Sequence, residues 1–110
     1  MRDVKDAILD SLKEPVVFCD LDHIIRYMNK AAIAHYREGE ALIGKSVLDC
    51  HNAKSQKQML QIFSEMKEGL EERLITNNEK CRIYMRAIRD DDGSLLGYYE
   101  RYERSLGAEN

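Results

Sequence analysis

The side chains most able to do chemistry sit close together in the middle of the chain. Cys50 and His51 are adjacent and lead into Asn52-Ala53-Lys54-Ser55. An imidazole there can ligate a metal or a haem iron, or contact a bound small molecule. The alternative is a histidine that caps a helix or bonds a backbone carbonyl. Cys50 is a redox switch only if a cation or a helix N-terminus lowers its pKa, and Lys45 and Lys54 are near in sequence. Its alternative is a small buried hydrophobe. His35 follows the run Ala31-Ala32-Ile33-Ala34, whose small side chains leave room beside it. It is either a pocket residue or a half-exposed residue at a helix end. His23 reads as a turn residue. Asp90-Asp91-Asp92 reads as a solvated turn, because a calcium loop needs further spaced oxygen ligands and a closing carboxylate. No Gly-x-Ser-x-Gly, P-loop or His-Glu-x-x-His motif is present, so no enzymatic activity is expected.

Composition narrows the classes further. The chain has 110 residues, the length of a single domain. Hydrophobic residues make up 44% and charged residues 34%, too apolar for disorder and too charged for a membrane protein. No apolar run approaches the ~18 residues of a membrane-spanning helix, and the charged N-terminus lacks a signal core. The net charge is −3 with no basic stripe, so a nucleic-acid partner is not expected. The three cysteines, Cys19, Cys50 and Cys81, are widely spaced without a Cys-x-x-Cys pair. That pattern fits free thiols in a reducing cytoplasm rather than a dithiol or zinc site.

The elements that must position these groups follow from periodicity. Val4, Ile8 and Leu12 recur at helical spacing within residues 3–13, and Pro15 ends that amphipathic helix. Val16–Cys19 and Ile24–Met28 read as a hairpin around Asp20-Leu21-Asp22-His23. Asn29 caps a helix over Lys30–Tyr36. Ser55 is expected to cap a longer helix over Gln56–Glu68, whose apolar stripe is Met59, Leu60, Ile62, Phe63 and Met66. Glu72–Thr76, Cys81–Arg89 and Leu95–Glu103 read as strands. In the second of these, Cys81, Ile83, Met85 and Ala87 share one face; Arg82, Tyr84 and Arg86 share the other. Strands flanking a helical block argue an α+β fold with an antiparallel sheet. The tyrosines of the last two strands, with Arg82, Arg86, Arg101 and Arg104, suit either a protein interface or cross-strand pairing on a solvated face.

This order resembles the PAS domain over nearly the whole chain. The likeness is carried by Pro15–Asp22 with Ile24–Tyr27, by Asn29-Lys30-Ala31-Ala32, by Leu42-Ile43-Gly44-Lys45-Ser46, and by Arg89–Gly93 with Leu96-Gly97. Cys50–Ser55 is further similar to the Cys-His-x-Pro-Lys-Ser stretch of PAS-like domains behind haemerythrin-type modules, with Ala53 in the proline's place. The resemblance implies an N-terminal helix over 1–14, a PAS domain over 15–104 and a tail over 105–110. It implies a five-stranded antiparallel sheet with central helices on one face. The chain reads as either a free-standing domain or an excised piece.

The resemblance also implies a sensor whose ligand or cofactor sits between the inner sheet face and the helices, signalling through a homodimer to a downstream partner. On that frame the pocket residues are His35, Tyr36, Ile43, Leu48 and His51, together with Met59, Phe63, Cys81, Ile83 and Met85. Five methionines in the chain suit an irregular cavity, although a methionine-rich core explains them as well. Haem is one cofactor to test, with His51 or His35 as axial ligand. A flavin photoadduct is not expected, because Val47 stands where light-sensing members carry a reactive cysteine. The implied dimer surface comprises Val4, Ile8 and Leu12 of the first helix with Tyr84, Tyr98 and Tyr102 of the sheet. The competing readings are a ligand-free dimerisation adaptor and a thiol switch at Cys50.

Overall fold

The computed structural model describes residues 3–104, so the tail over 105–110 lies outside the described residues. The elements run α1 (Val4–Ser11), β1 (Val16–Cys19), β2 (Ile25–Met28) and α2 (Lys30–His35). Two 3-10 turns follow, Gly39–Leu42 and Val47–Cys50, and then α3 (Ala53–Lys67), β3 (Glu72–Asn77), β4 (Cys81–Arg89) and β5 (Leu95–Arg104). The strands form one antiparallel sheet in the order β2-β1-β5-β4-β3, so the last strand in sequence is the central one. This is the five-stranded α+β architecture expected from the sequence.

One side chain ties the N-terminal third together. Asn29 is fully buried, and its Oδ1 accepts from the backbone N–H of Val16 and of Ala32, each at 2.9 Å. Its Nδ2 donates to the carbonyls of Leu9 at 2.9 Å and Glu14 at 3.1 Å. Asn29 therefore caps α2, starts β1 and holds the end of α1. All four of its hydrogen-bonding positions are used, which is what a buried amide requires.

The longer helix starts earlier than expected. Asn52, not Ser55, is the cap: its side chain accepts the Ser55 N–H at 2.9 Å, and Ala53 is the first helical residue. That position tolerates proline because its N–H has no partner within the helix. Either alanine or proline therefore suits position 53 without loss of a hydrogen bond within the helix. Met59, Ile62, Phe63 and Met66 bury one stripe of α3 in the core. Arg89 closes its far end, with Nη2 donating to the carbonyls of Met66 at 2.6 Å and Leu70 at 3.1 Å.

The register of β4 and β5 corrects part of the sequence reading. Near their shared turn Arg89 pairs with Leu95 but Ile88 pairs with Gly97, so Leu96 is bulged out. Beyond the bulge Ala87 faces Tyr98, Met85 faces Glu100 and Ile83 faces Tyr102. Tyr98 and Tyr102 thus lie on the inner face with the β4 apolar residues, not on the outer face with Tyr84. Tyr98 is fully buried and offers no dimer surface.

The outer face is a lattice of paired charges. Arg101 bonds Glu72 at 3.2 and 3.3 Å and Glu103 at 3.2 Å, and its guanidinium lies 4.3 Å from the centre of the Tyr84 ring. Arg86 also reaches Glu72, at 3.6 Å. Among the described residues no helix is long and apolar enough to cross a membrane.

Candidate functional site

A cavity of about 580 Å³ opens between the β2-β1-β5 half of the sheet and the two 3-10 turns. Its floor is sheet: Val17, Ile25 and Met28, with Glu100 from the central strand. Its roof is Tyr36, Glu38 and Leu42, then Lys45–Val47 and Asp49–His51. The roof is held by backbone bonds to the rim of the hairpin. Ile25 N–H donates to the Lys45 carbonyl at 2.9 Å, Gly44 N–H to Ile25 at 2.7 Å, and Val47 N–H to His23 at 2.8 Å. Glu38, Lys45, Asp49 and Cys50 are solvent-exposed, which makes the rim polar, while the floor is buried and mostly apolar.

Glu100 is the exception on that floor. It is 5% exposed, and its Oε1 has no hydrogen-bond partner. Loss of solvation lifts its pKa from an ordinary 4.5 to about 7. The neighbouring hydroxyls are engaged: Tyr36 and Tyr102 bond each other, and Tyr98 bonds Nδ1 of His23 at 2.8 Å. Burial, with Glu100 adding to it, pushes the Cys19 thiol and the Tyr102 phenol up to about 12, and Tyr36 and Tyr98 also rise.

Of the residues expected in a pocket, the cavity brings together Tyr36 and His51. His51 is half-buried, and burial lowers its pKa below the usual imidazole value, so it is neutral at pH 7. Its carbonyl accepts from Nε2 of Gln56 at 2.9 Å. The remaining expected residues do not line the cavity. Met59, Phe63 and Met85 are packed into the core, and Leu48 packs against it. Cys81 and Ile83 are half-buried on β4, the far side of β5 from the cavity. Ile43 is exposed, as is His35, whose ring stands edge-on to Tyr36 and Tyr102 at the end of α2.

Cys50 lines the cavity, yet burial, Glu38 and Asp49 raise its thiol pKa, the reverse of what a redox thiol needs. No cluster of three or more metal-ligating side chains occurs among the described residues. His23 has the one positive φ among described non-glycine residues, +67°. That conformation turns its ring inward, 4.6 Å from the centre of Phe63.

Glu100 was missed by sequence reasoning. Glu100 sits in a run rich in tyrosine and charge, Tyr98–Arg104, with no apolar alternation to tell its inner face from its outer. The signal that would have found it is the β4 pattern carried across the hairpin with a bulge at Leu96.

The five-stranded antiparallel sheet, with helices and 3-10 turns enclosing a cavity against it, is the architecture of a PAS-type domain. A family model described as PAS domain matches residues 6–103, and the chain belongs to that family. Among solved structures, a C-terminal domain from Streptococcus mutans superposes with a TM-score of 0.77 at 21% identity, over 94% of this chain and 84% of that one. A PAS domain from Colwellia psychrerythraea gives 0.72 at 14% identity, over 94% and 96%. The Aer2 receptor of Vibrio cholerae, described as a dual PAS-heme oxygen sensor, gives 0.62 at 17% identity, over 93% and 98%. At these identities the likeness concerns the fold. No curated protein matches the chain in sequence.

Proposed function

We propose that this PAS domain is a non-enzymatic sensor that binds a small molecule in the cavity under the two 3-10 turns. The carrying observation is the cavity itself, of about 580 Å³, with an unpartnered Glu100 oxygen buried in its floor. Cavities of this size with few convergent polar groups are the usual form of a small-molecule site. A buried polar atom without a partner is costly unless something else supplies the partner. Fold alone does not carry ligand chemistry, so the reading rests on the site.

Haem is a poor match to this lining. His51 is the histidine placed to meet an iron, but three carboxylates, Glu38, Asp49 and Glu100, face a group that brings its own propionates. The stretch Cys50–Ser55 supports grouping the chain with the PAS-like domains of haemerythrin-associated proteins. A cytoplasmic setting fits the exposed free thiol of Cys50.

For output, the reading is a homodimer acting on a downstream signalling protein. It rests on α1, none of whose residues is buried, and on Val4, Ile8 and Leu12 at 68%, 57% and 44% exposure. A second copy of this chain is the occupant proposed for that stripe, and Tyr84 on the outer sheet face is proposed to join the same dimer surface. The same stripe supports the adaptor reading, in which dimerisation is the whole task.

Native mass spectrometry with a UV-visible spectrum on freshly purified protein separates these readings. The expected result is a dimer carrying a small-molecule adduct without a Soret band, reduced to monomer by Ile8→Glu. A ligand-free dimer that takes up nothing from a metabolite extract would replace the sensor with the adaptor. A monomer would refute the dimer.

A further inference from the structure

Resting on the reading of the cavity as a ligand site, we infer that its ligand is a small organic cation. It would have an apolar body and one protonated nitrogen, an amine or amidinium, donating to Oε1 of Glu100. Three observations converge. The first is the missing donor: Glu100 is buried on the floor, its Oε1 bonds nothing, and no ion pair among the described residues includes it. A carboxylate removed from water is strongly disfavoured unless a cation and a hydrogen bond accompany it. The phenols of Tyr36, Tyr98 and Tyr102 do not fill that role, since none of them is within hydrogen-bond reach of Oε1.

The second is the sign of the lining. Glu38, Asp49 and Glu100 place three carboxylates on the cavity against one ammonium, Lys45, and His51 is held neutral by burial. An anionic ligand would meet like charge at the rim and on the floor, whereas a cation is attracted at both. The third is the apolar remainder. Val17, Ile25, Met28, Leu42 and Val47 form an apolar wall around the one buried acid, Glu100. That wall recognises a hydrocarbon or aromatic body rather than a sugar or a nucleotide. A charge-assisted N–H to carboxylate bond in such a setting sets orientation as well as affinity.

The test uses three probes that share one body: 2-phenylethylamine, 2-phenylethanol and phenylacetate. Each is titrated into ¹⁵N-labelled protein near pH 8, and the backbone amides of residues 45–51 and 100 are followed by NMR. We expect the amine to shift these amides and to bind at least about tenfold more tightly than the alcohol, with phenylacetate weakest. In Glu100→Gln the amine and the alcohol should bind within about twofold of each other. Equal or tighter binding of the alcohol or the acid to the wild-type protein overturns the cation inference and leaves the ligand reading standing. Failure of all three to shift the cavity amides, up to about 10 mM, overturns both. The wild-type preference among probes is read without any variant, so poor folding of Glu100→Gln does not blunt the test.

Discussion

Burial of Glu100 has a consequence for stability that can be measured without any ligand. Its carboxyl is lifted from 4.5 to about 7 by loss of solvation. The native protein therefore keeps this proton to a higher pH than the unfolded chain does. Stability contributed by the neutral acid is fully present below 4.5 and is lost as pH rises through about 7. The whole shift corresponds to about 3 kcal/mol, of which about 2 to 3 kcal/mol falls between about pH 5 and about pH 8. Glu100→Gln keeps the shape and removes the titration. Urea unfolding followed by circular dichroism, on both proteins across that range, isolates the effect as a difference of differences. His23 and His51 titrate in both proteins and drop out of it. The variant should gain on the wild type as pH rises, by about 2 to 3 kcal/mol over the range. A stability difference that stays flat with pH would refute the argument that Glu100 is buried without a partner.

Other perturbations read the frame around the site. Asn29→Asp places a carboxylate oxygen against the carbonyls of Leu9 and Glu14, now served by Nδ2. It should lower stability by about 3 kcal/mol or more in the same unfolding assay, with earlier exchange of the α1 amides. Gly97→Ala would drive a Cβ into the Cys19 carbonyl and the Phe18 ring, so soluble yield and cooperative melting should both be lost. His23→Ala and His23→Gly both strip the Tyr98 hydroxyl of its partner, at a cost of about 1–3 kcal/mol. Glycine suits the +67° backbone, so the glycine variant should be the more stable of the two by about 1 kcal/mol in chemical denaturation. Equal stabilities would mean that position 23 carries no backbone strain.

The sequence by itself determined the elements, their order and the face presented by β4. Apolar spacing of 3.6 in α3 and of 2 in β4 records which side is buried, because burial selects the residues at those positions. Local chemistry was legible too: Asn29 before an alanine-rich run is a helix cap, although its bonds to Leu9, Glu14 and Val16 join segments distant in the chain. The longer helix shows the limit of that reading, since Asn52 and Ser55 are both competent caps and only backbone geometry chose Asn52.

The face of β5 was decided by tertiary structure. Counted from the Asp90–Gly93 turn without a bulge, Tyr98, Glu100 and Tyr102 fall on the outer face. The bulge at Leu96 reverses every side chain beyond it, because strand faces alternate with each residue. That reversal moves two tyrosines from the outer surface to the interior and turns one glutamate into the buried acid of the cavity. The 3-10 turns join the site in the same way, through contacts between segments that no local pattern encodes. The pocket is built where β1, β2 and β5 meet those turns, so its chemistry depends on register and crossing rather than on any single stretch of chain.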